Sequence, residues 1–202
     1  MSDVPYTSAW LRDLAVESVT DPRSAAARLL AASPGREALK LWLPLVAILN
    51  GMYYSQALPV ASQGQMGVTI PAFMTNPIAL SAVVAVIMVA MSVFFVMSGR
   101  LMGGKASLED VLLVTCWLQS LRLAAQFLIT AISTIAAGIG ALLALVAGVW
   151  GIYVLANFLT TAHRFDTPLK GIATMAVGVL GFAFAMSFLL AILGLAPPEA
   201  GL

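Results

Sequence analysis

Charge is scarce in this sequence. Only 9% of its 202 residues are Asp, Glu, Lys or Arg, against about 25% in an ordinary soluble domain. It holds one cysteine, Cys116, and one histidine, His163. A single cysteine excludes an intramolecular disulfide and any Cys-based metal centre. A single histidine, beside Arg164 and Asp166, offers too few ligands for a metal site of its own. Ten Lys and Arg set against nine Asp and Glu leave a formal charge of +1, which is no electrostatic footprint for nucleic acid. The first 38 residues lack the apolar core of a signal peptide. Instead they carry Arg12, Asp13, Glu17, Asp21, Arg23, Arg28, Arg36 and Glu37, so insertion relies on internal segments.

Apolar residues are abundant. They make up 61% of the chain, with a mean hydropathy of +0.99. They gather in five runs, Leu39–Leu58, Ile78–Met97, Val111–Ser133, Gly138–Thr160 and Gly171–Leu193. Each reaches about the 20 residues that a helix needs to cross the hydrocarbon. The pattern predicts an all-α polytopic membrane protein: a bundle of five transmembrane helices behind short N-terminal cytoplasmic or interfacial helices. Residues 1–38 form that N-terminal part, 39–196 the membrane domain and 197–202 a short non-cytoplasmic tail. Pro59 stops the first run and Pro77 opens the second, while Gly138 and Gly140 permit a tight reversal around Ala136–Gly140. Ser107 caps the third run with Glu109 and Asp110 in its first turn, Pro168 precedes the fifth run, and Pro197–Pro198 close it.

Positive charge fixes the expected orientation. Arg12, Arg23, Arg28, Arg36 and Lys40 stand at or before the start of the first run; Arg100 and Lys105 separate the second and third; Arg164 and Lys170 separate the fourth and fifth. The stretches 59–77 and 134–140 carry no charge of either sign. Every Lys or Arg outside a run therefore falls on one face, which the positive-inside rule makes cytoplasmic, N-terminus included, with the C-terminus opposite. This distribution and the short termini favour a bacterial inner membrane.

The N-terminal part has helical punctuation of its own. Ser8 caps a helix over Ala9–Val19, Asp21-Pro22 caps a second ending near Ala32, and Ser33-Pro34 repeats the device at the first run. These helices either lie in the headgroup region, with Arg23 and Arg28 toward anionic lipid, or pack on the ends of the spans. The two readings are compatible. Arg23, Arg28, Arg36, Lys40, His163 and Arg164 form the cytoplasmic set available to lipid or to a partner.

Three stretches carry a family resemblance. Asp21-Pro22-Arg23-Ser24-Ala25-Ala26-Ala27-Arg28-Leu29-Leu30, followed by Pro34-Gly35-Arg36-Glu37-Ala38-Leu39-Lys40-Leu41-Trp42, resembles the opening of bacterial Yip-family proteins. Gly103-Gly104-Lys105-Ala106-Ser107-Leu108-Glu109-Asp110, running into Trp117-Leu118-Gln119, is similar to the family's loop and third span. Ala162-His163-Arg164-Phe165-Asp166-Thr167-Pro168 is similar to its turn before the last span, where His-Gly-Phe is the commoner wording and Arg164 departs from it. The resemblance covers most of residues 18–190 and implies a five-span, N-in, Yip-type membrane domain rather than a reaction. Eukaryotic relatives act in vesicle traffic with Ypt/Rab GTPases, and the short N-terminal region here leaves little room for an elaborate docking domain.

The third run is unlike the others. Thr115, Gln119, Arg122, Gln126, Thr130 and Ser133 are spaced by three and four, which draws one polar stripe along a helix. A charge at mid-bilayer costs about 2.5–3.5 kcal/mol on insertion scales, so Arg122 is expected to face protein or water. No Asp or Glu lies inside any run, which leaves neutral groups such as Gln119, Gln126, Asn50, Gln56 and Asn157, or water, lipid phosphate or another chain, as its partners. The stripe is read as interhelical glue or an oligomer contact, as a polar transport cavity, or as Arg122 snorkelling to one interface. Gly140, Ala144 and Gly148 mark a small-residue seam for the third span or for a second copy. Met88, Met91, Met97 and Met102 are ordinary packing, and Trp42, Tyr53 and Tyr54 read as interfacial anchors. Gly103-Gly104 lacks the spacing of a phosphate loop, and the runs contain no set of residues for an intramembrane enzyme. No cofactor is expected. The resulting expectation is a non-enzymatic membrane scaffold or adaptor, bound to lipid and to other membrane proteins or itself, with a small transporter or channel around Arg122 as the alternative.

Overall fold

A computed structural model of the chain describes residues 7–61 and 71–192, and these are almost wholly helical. They form α1 (Ser8–Thr20), α2 (Pro22–Ala32), α3 (Gly35–Ala61), the single turn α4 (Ala72–Thr75), α5 (Pro77–Leu101), α6 (Leu108–Ile135), α7 (Ala137–Ala162) and α8 (Pro168–Ile192). Four of them, α5 to α8, are long and apolar enough to cross a membrane by length and composition. The chain is thus an all-α polytopic membrane protein. The 27-residue α3 is as long as these, but Asn50, Tyr53, Tyr54, Ser55 and Gln56 interrupt its apolar run. The expected closing prolines and the C-terminal tail lie outside the described residues.

Local chemistry accounts for most of the boundaries. The Ser107 hydroxyl accepts from the Asp110 backbone N–H at 3.0 Å, and the Asp110 carboxylate accepts from the Ser107 N–H at 3.0 Å. This reciprocal box satisfies two orphan donors at the start of α6. Asp21 caps α2 through Ser24, with Pro22 at the first helical position; those hydrogen bonds from Ser24 also hold its carboxyl below the usual range.

Other expectations are corrected. Thr7, not Ser8, caps α1. Ser33 ends α2 in a left-handed conformation, φ 38°, and does not begin the next helix. Pro59 does not stop α3, which continues to Ala61 with both Pro44 and Pro59 inside it; long helices in apolar surroundings tolerate proline because nearby groups re-satisfy the backbone. The reversal between α6 and α7 needs one non-helical residue, Ala136, whose N–H still bonds the Ile132 carbonyl at 2.9 Å.

The five long helices close into a ring in the order α3, α5, α8, α7, α6, with α5 also touching α6 across the middle. Backbones approach closely where glycine faces a neighbouring helix: a Cβ at Gly51 would strike Ser81, at Gly171 the Ala156 carbonyl and Thr160, and at Gly178 the Phe95 ring. Along the expected α7 seam only Gly140 is packed, against Ser133; Gly148 faces open space and Ala144 is exposed. At the end of the bundle that carries the charges, α1 and α2 fold into a hairpin against α6 and α7. Leu14, Ala25, Ala26 and Leu29 are buried there with Val111, Val114, Phe158 and Leu159. Leu11, Val16 and Val19 on α1 remain exposed, so the hairpin packs on the spans while an apolar side of it stays uncovered.

Candidate functional site

Two constellations gather the polar residues. The first is the face of α6 that meets α3 and α5. Thr115 shares a hydrogen bond with Ser92 of α5 at 3.1 Å. The Trp42 indole donates to Ser120 at 3.2 Å, and the Tyr53 hydroxyl lies 2.7 Å from that of Thr130. Arg122 donates to the Tyr54 hydroxyl and, at 3.5 Å, to Gln119, with its guanidinium 5.3 Å from the Tyr54 ring centre. Ser133 turns back to the Ile129 carbonyl at 2.8 Å. Of the other neutral partners expected for Arg122, Asn50 bonds within its own helix to Val46, and Asn157 is taken by Arg23. Gln126 is half-buried on the same face.

The α3 aromatics line this face rather than the membrane interface expected of them. Taken alone they suggest interfacial anchors, but Trp42 and Tyr53 stand 11 residues apart, three helical turns, and therefore share a face. That spacing was the available signal that they meet the α6 stripe. Interhelical hydrogen bonds of this kind contribute roughly 0.6 kcal/mol each.

The second constellation sits at the charged end, around His163. Its imidazole is fully buried, not at the surface with the other cationic residues, because α7 ends under the α5–α6 connection. A Cβ at Gly99 or at Gly104 would collide with the ring, and Phe165 stacks on it at 5.2 Å and 15°. The Lys105 N–H donates to the His163 carbonyl at 3.1 Å, which ties the α5–α6 loop to the end of α7. Neither ring nitrogen has a hydrogen-bond partner among the described residues. Burial pushes the His163 pKa below its ordinary value, and Arg100 adds to this; the Phe95 carbonyl and Asp110 pull the other way. Protonation of the imidazole is thus disfavoured in the fold relative to an unfolded chain, which takes up its proton near pH 6.5. Stability from this group is complete above that pH and is lost as pH falls through the window below it. Unfolding measured from pH 7.5 to 5 should show the loss in the native chain and not in His163→Phe.

Next to it, Arg164 adopts φ 57°, a conformation that costs a non-glycine residue about 1–2 kcal/mol. This is the position where the resembled motif more often has glycine. Arg164→Gly should therefore raise the unfolding free energy by about 1 kcal/mol, read as a shift in the denaturant midpoint.

The remaining cationic candidates are engaged within the chain. Arg23 donates to the buried Asn157 at 3.1 Å. Arg28 pairs with Glu17 at 2.9 Å and lies 5.3 Å over the Trp10 ring. Arg36 pairs with Glu109 at 2.6 Å and Lys40 with Glu37 at 2.7 Å, all largely exposed and worth little in water. Among the described residues no group of His, Cys, Asp and Glu is placed to hold a metal ion.

No curated protein and no solved structure matches the chain. A family model does: the Yip1 domain matches residues 16–193, which takes in the end of α1, all of α2, both constellations and every long helix. The chain is therefore a member of the Yip1-domain family.

Proposed function

We propose that this protein is a non-enzymatic membrane scaffold or adaptor of the Yip type, acting in membrane organisation, trafficking-like processes or assembly of a larger membrane complex. In this reading α3 is a fifth span, the charged end faces the cytoplasm, and the membrane is a bacterial inner membrane. The course of α3 supports the fifth crossing: it runs beside α6 from the Arg36–Glu109 pair at the charged end to the Tyr53–Thr130 contact toward the other.

One observation carries the adaptor reading. Four polar pairs of the long helices are contacts between helices, Ser92 with Thr115, Trp42 with Ser120, Tyr53 with Thr130, and the Ser98 hydroxyl with the Thr174 carbonyl. A transporter around Arg122 would need a wet hollow there. Two hollows among the described residues lie elsewhere: one of about 60 Å³ beside Pro34, Arg36 and Glu109, and an open apolar groove of about 560 Å³ between α3 and α5. Purification in mild detergent should recover a reproducible set of membrane partners, with no ion or solute flux from reconstituted vesicles. A partner-free protein that conducts, and stops conducting as Arg122→Leu, would reverse the assignment.

A further inference from the structure

Arg122 is the one charge in the interior of a long helix. It stands 14 residues from Leu108 and 13 from Ile135, so each end of α6 is about 20 Å away. Every other charged residue of α3 and α5 to α8 lies within six residues of a helix end. The groups that meet the guanidinium, the Tyr54 hydroxyl and ring and the Gln119 amide, are all neutral, and Arg122 remains exposed on the outside of the bundle. An exposed arginine at that depth is unfavourable against lipid, and intramembrane charges pair with one another or face protein or water.

The source of the missing counter-charge can be worked out. The acidic residues of the whole chain are Asp3, Asp13, Glu17, Asp21, Glu37, Glu109, Asp110, Asp166 and Glu199; none falls inside any of the five apolar runs of the sequence, so a second copy of the same spans brings no carboxylate to Arg122. Lipid phosphates lie beyond a hydrocarbon layer about 30 Å thick, out of reach of a side chain at its centre. We propose that the exposed α3–α6 face around Arg122 docks a transmembrane helix of another protein that carries an aspartate or glutamate at mid-span. The proposal rests on the adaptor reading and names the chemistry of the partner. In the low dielectric of the membrane interior the pair is held far more strongly than at a surface, and the neutral Tyr54 and Gln119 contacts orient the guanidinium toward it.

The test uses the full chain in phosphatidylcholine vesicles, labelled through Ser8→Cys in a Cys116→Ser background. Energy transfer is measured to designed single-span leucine–alanine peptides of about 20 residues with Glu, Gln or Leu at the centre. The Glu peptide is expected to associate at least about tenfold more tightly than the Gln peptide. Arg122→Lys should keep that preference and Arg122→Leu should remove it, while Arg122→Glu should transfer it to a Lys-centred peptide; this charge swap guards against a variant that merely folds poorly. Equal association of the Glu and Gln peptides overturns the proposal. So does transfer between labelled copies that Arg122→Leu abolishes without any peptide preference, which assigns the face to a second copy. Loss of the Glu preference on adding phosphatidylglycerol assigns the face to an anionic lipid headgroup and overturns the proposal equally. Co-purification of partners that is unchanged by Arg122→Leu would overturn this inference while leaving the adaptor reading in place.

Discussion

Replacing Gly99 by valine should destabilise the folded chain by about 1–3 kcal/mol, and the loss should be coupled to His163. The reason is geometric. A Cβ at Gly99 would enter the space of the imidazole. The ring cannot slide away, because Gly104 abuts it as well and Phe165 is stacked on it. With the ring gone, the valine has room. Gly99→Val combined with His163→Ala should therefore cost less than the sum of the two single changes, with an interaction of about 0.5–3 kcal/mol. Unfolding of the four proteins in mixed detergent micelles, followed by circular dichroism, measures it. Strictly additive losses would show that Gly99 and the histidine do not share the space described.

Leu14→Ala should release the N-terminal hairpin. Leu14 is fully buried in the cluster that joins α1 and α2 to α6 and α7, and removing such a side chain costs about 2–5 kcal/mol. The hairpin is otherwise held by few polar contacts: the Trp117 indole to Ser18 at 2.9 Å, Trp150 to the Val19 carbonyl at 3.1 Å, and Arg23 to Asn157. Undocking should therefore precede unfolding of the spans. Trypsin should cut after Arg23 and Arg28 at least about tenfold faster in the variant, since 2 kcal/mol of lost docking multiplies the open fraction by well over ten. Cleavage at the native rate, in a variant that is otherwise folded, would mean that the hairpin is held by something other than this apolar contact.

Much of this architecture is legible in the residues. The spacing of apolar runs gives α5 to α8, and Asp21-Pro22 and Ser107–Asp110 mark helix starts because capping chemistry is local. The family match over residues 16–193 agrees with the resemblance read from three short stretches. What could not be read depends on contacts distant in sequence. Pro59 looks like a terminator because proline breaks helices in water, yet α3 carries it internally. The small residues Gly140, Ala144 and Gly148 repeat at a packing interval, but the neighbouring backbone meets only the first of them. The stripe on α6 was visible by period, whereas its partners on α3 required knowing which helices are neighbours. His163 looks like a polar loop residue, and only the convergence of Gly99, Gly104 and Phe165 buries it.

In the proposed topology the charged end and the opposite end lie on two sides of a membrane, with α3 as the segment that makes the number of crossings odd. The direct measurement is labelling by a membrane-impermeant thiol reagent in sealed vesicles of each orientation, using Ser8→Cys, Gln63→Cys and Asp166→Cys in a Cys116→Ser background. Five crossings predict that positions 8 and 166 react from the cytoplasmic side and position 63 only from the other. Reaction of positions 8 and 63 from the same side would mean that α3 does not cross, and would contradict the topology on which the adaptor reading is built.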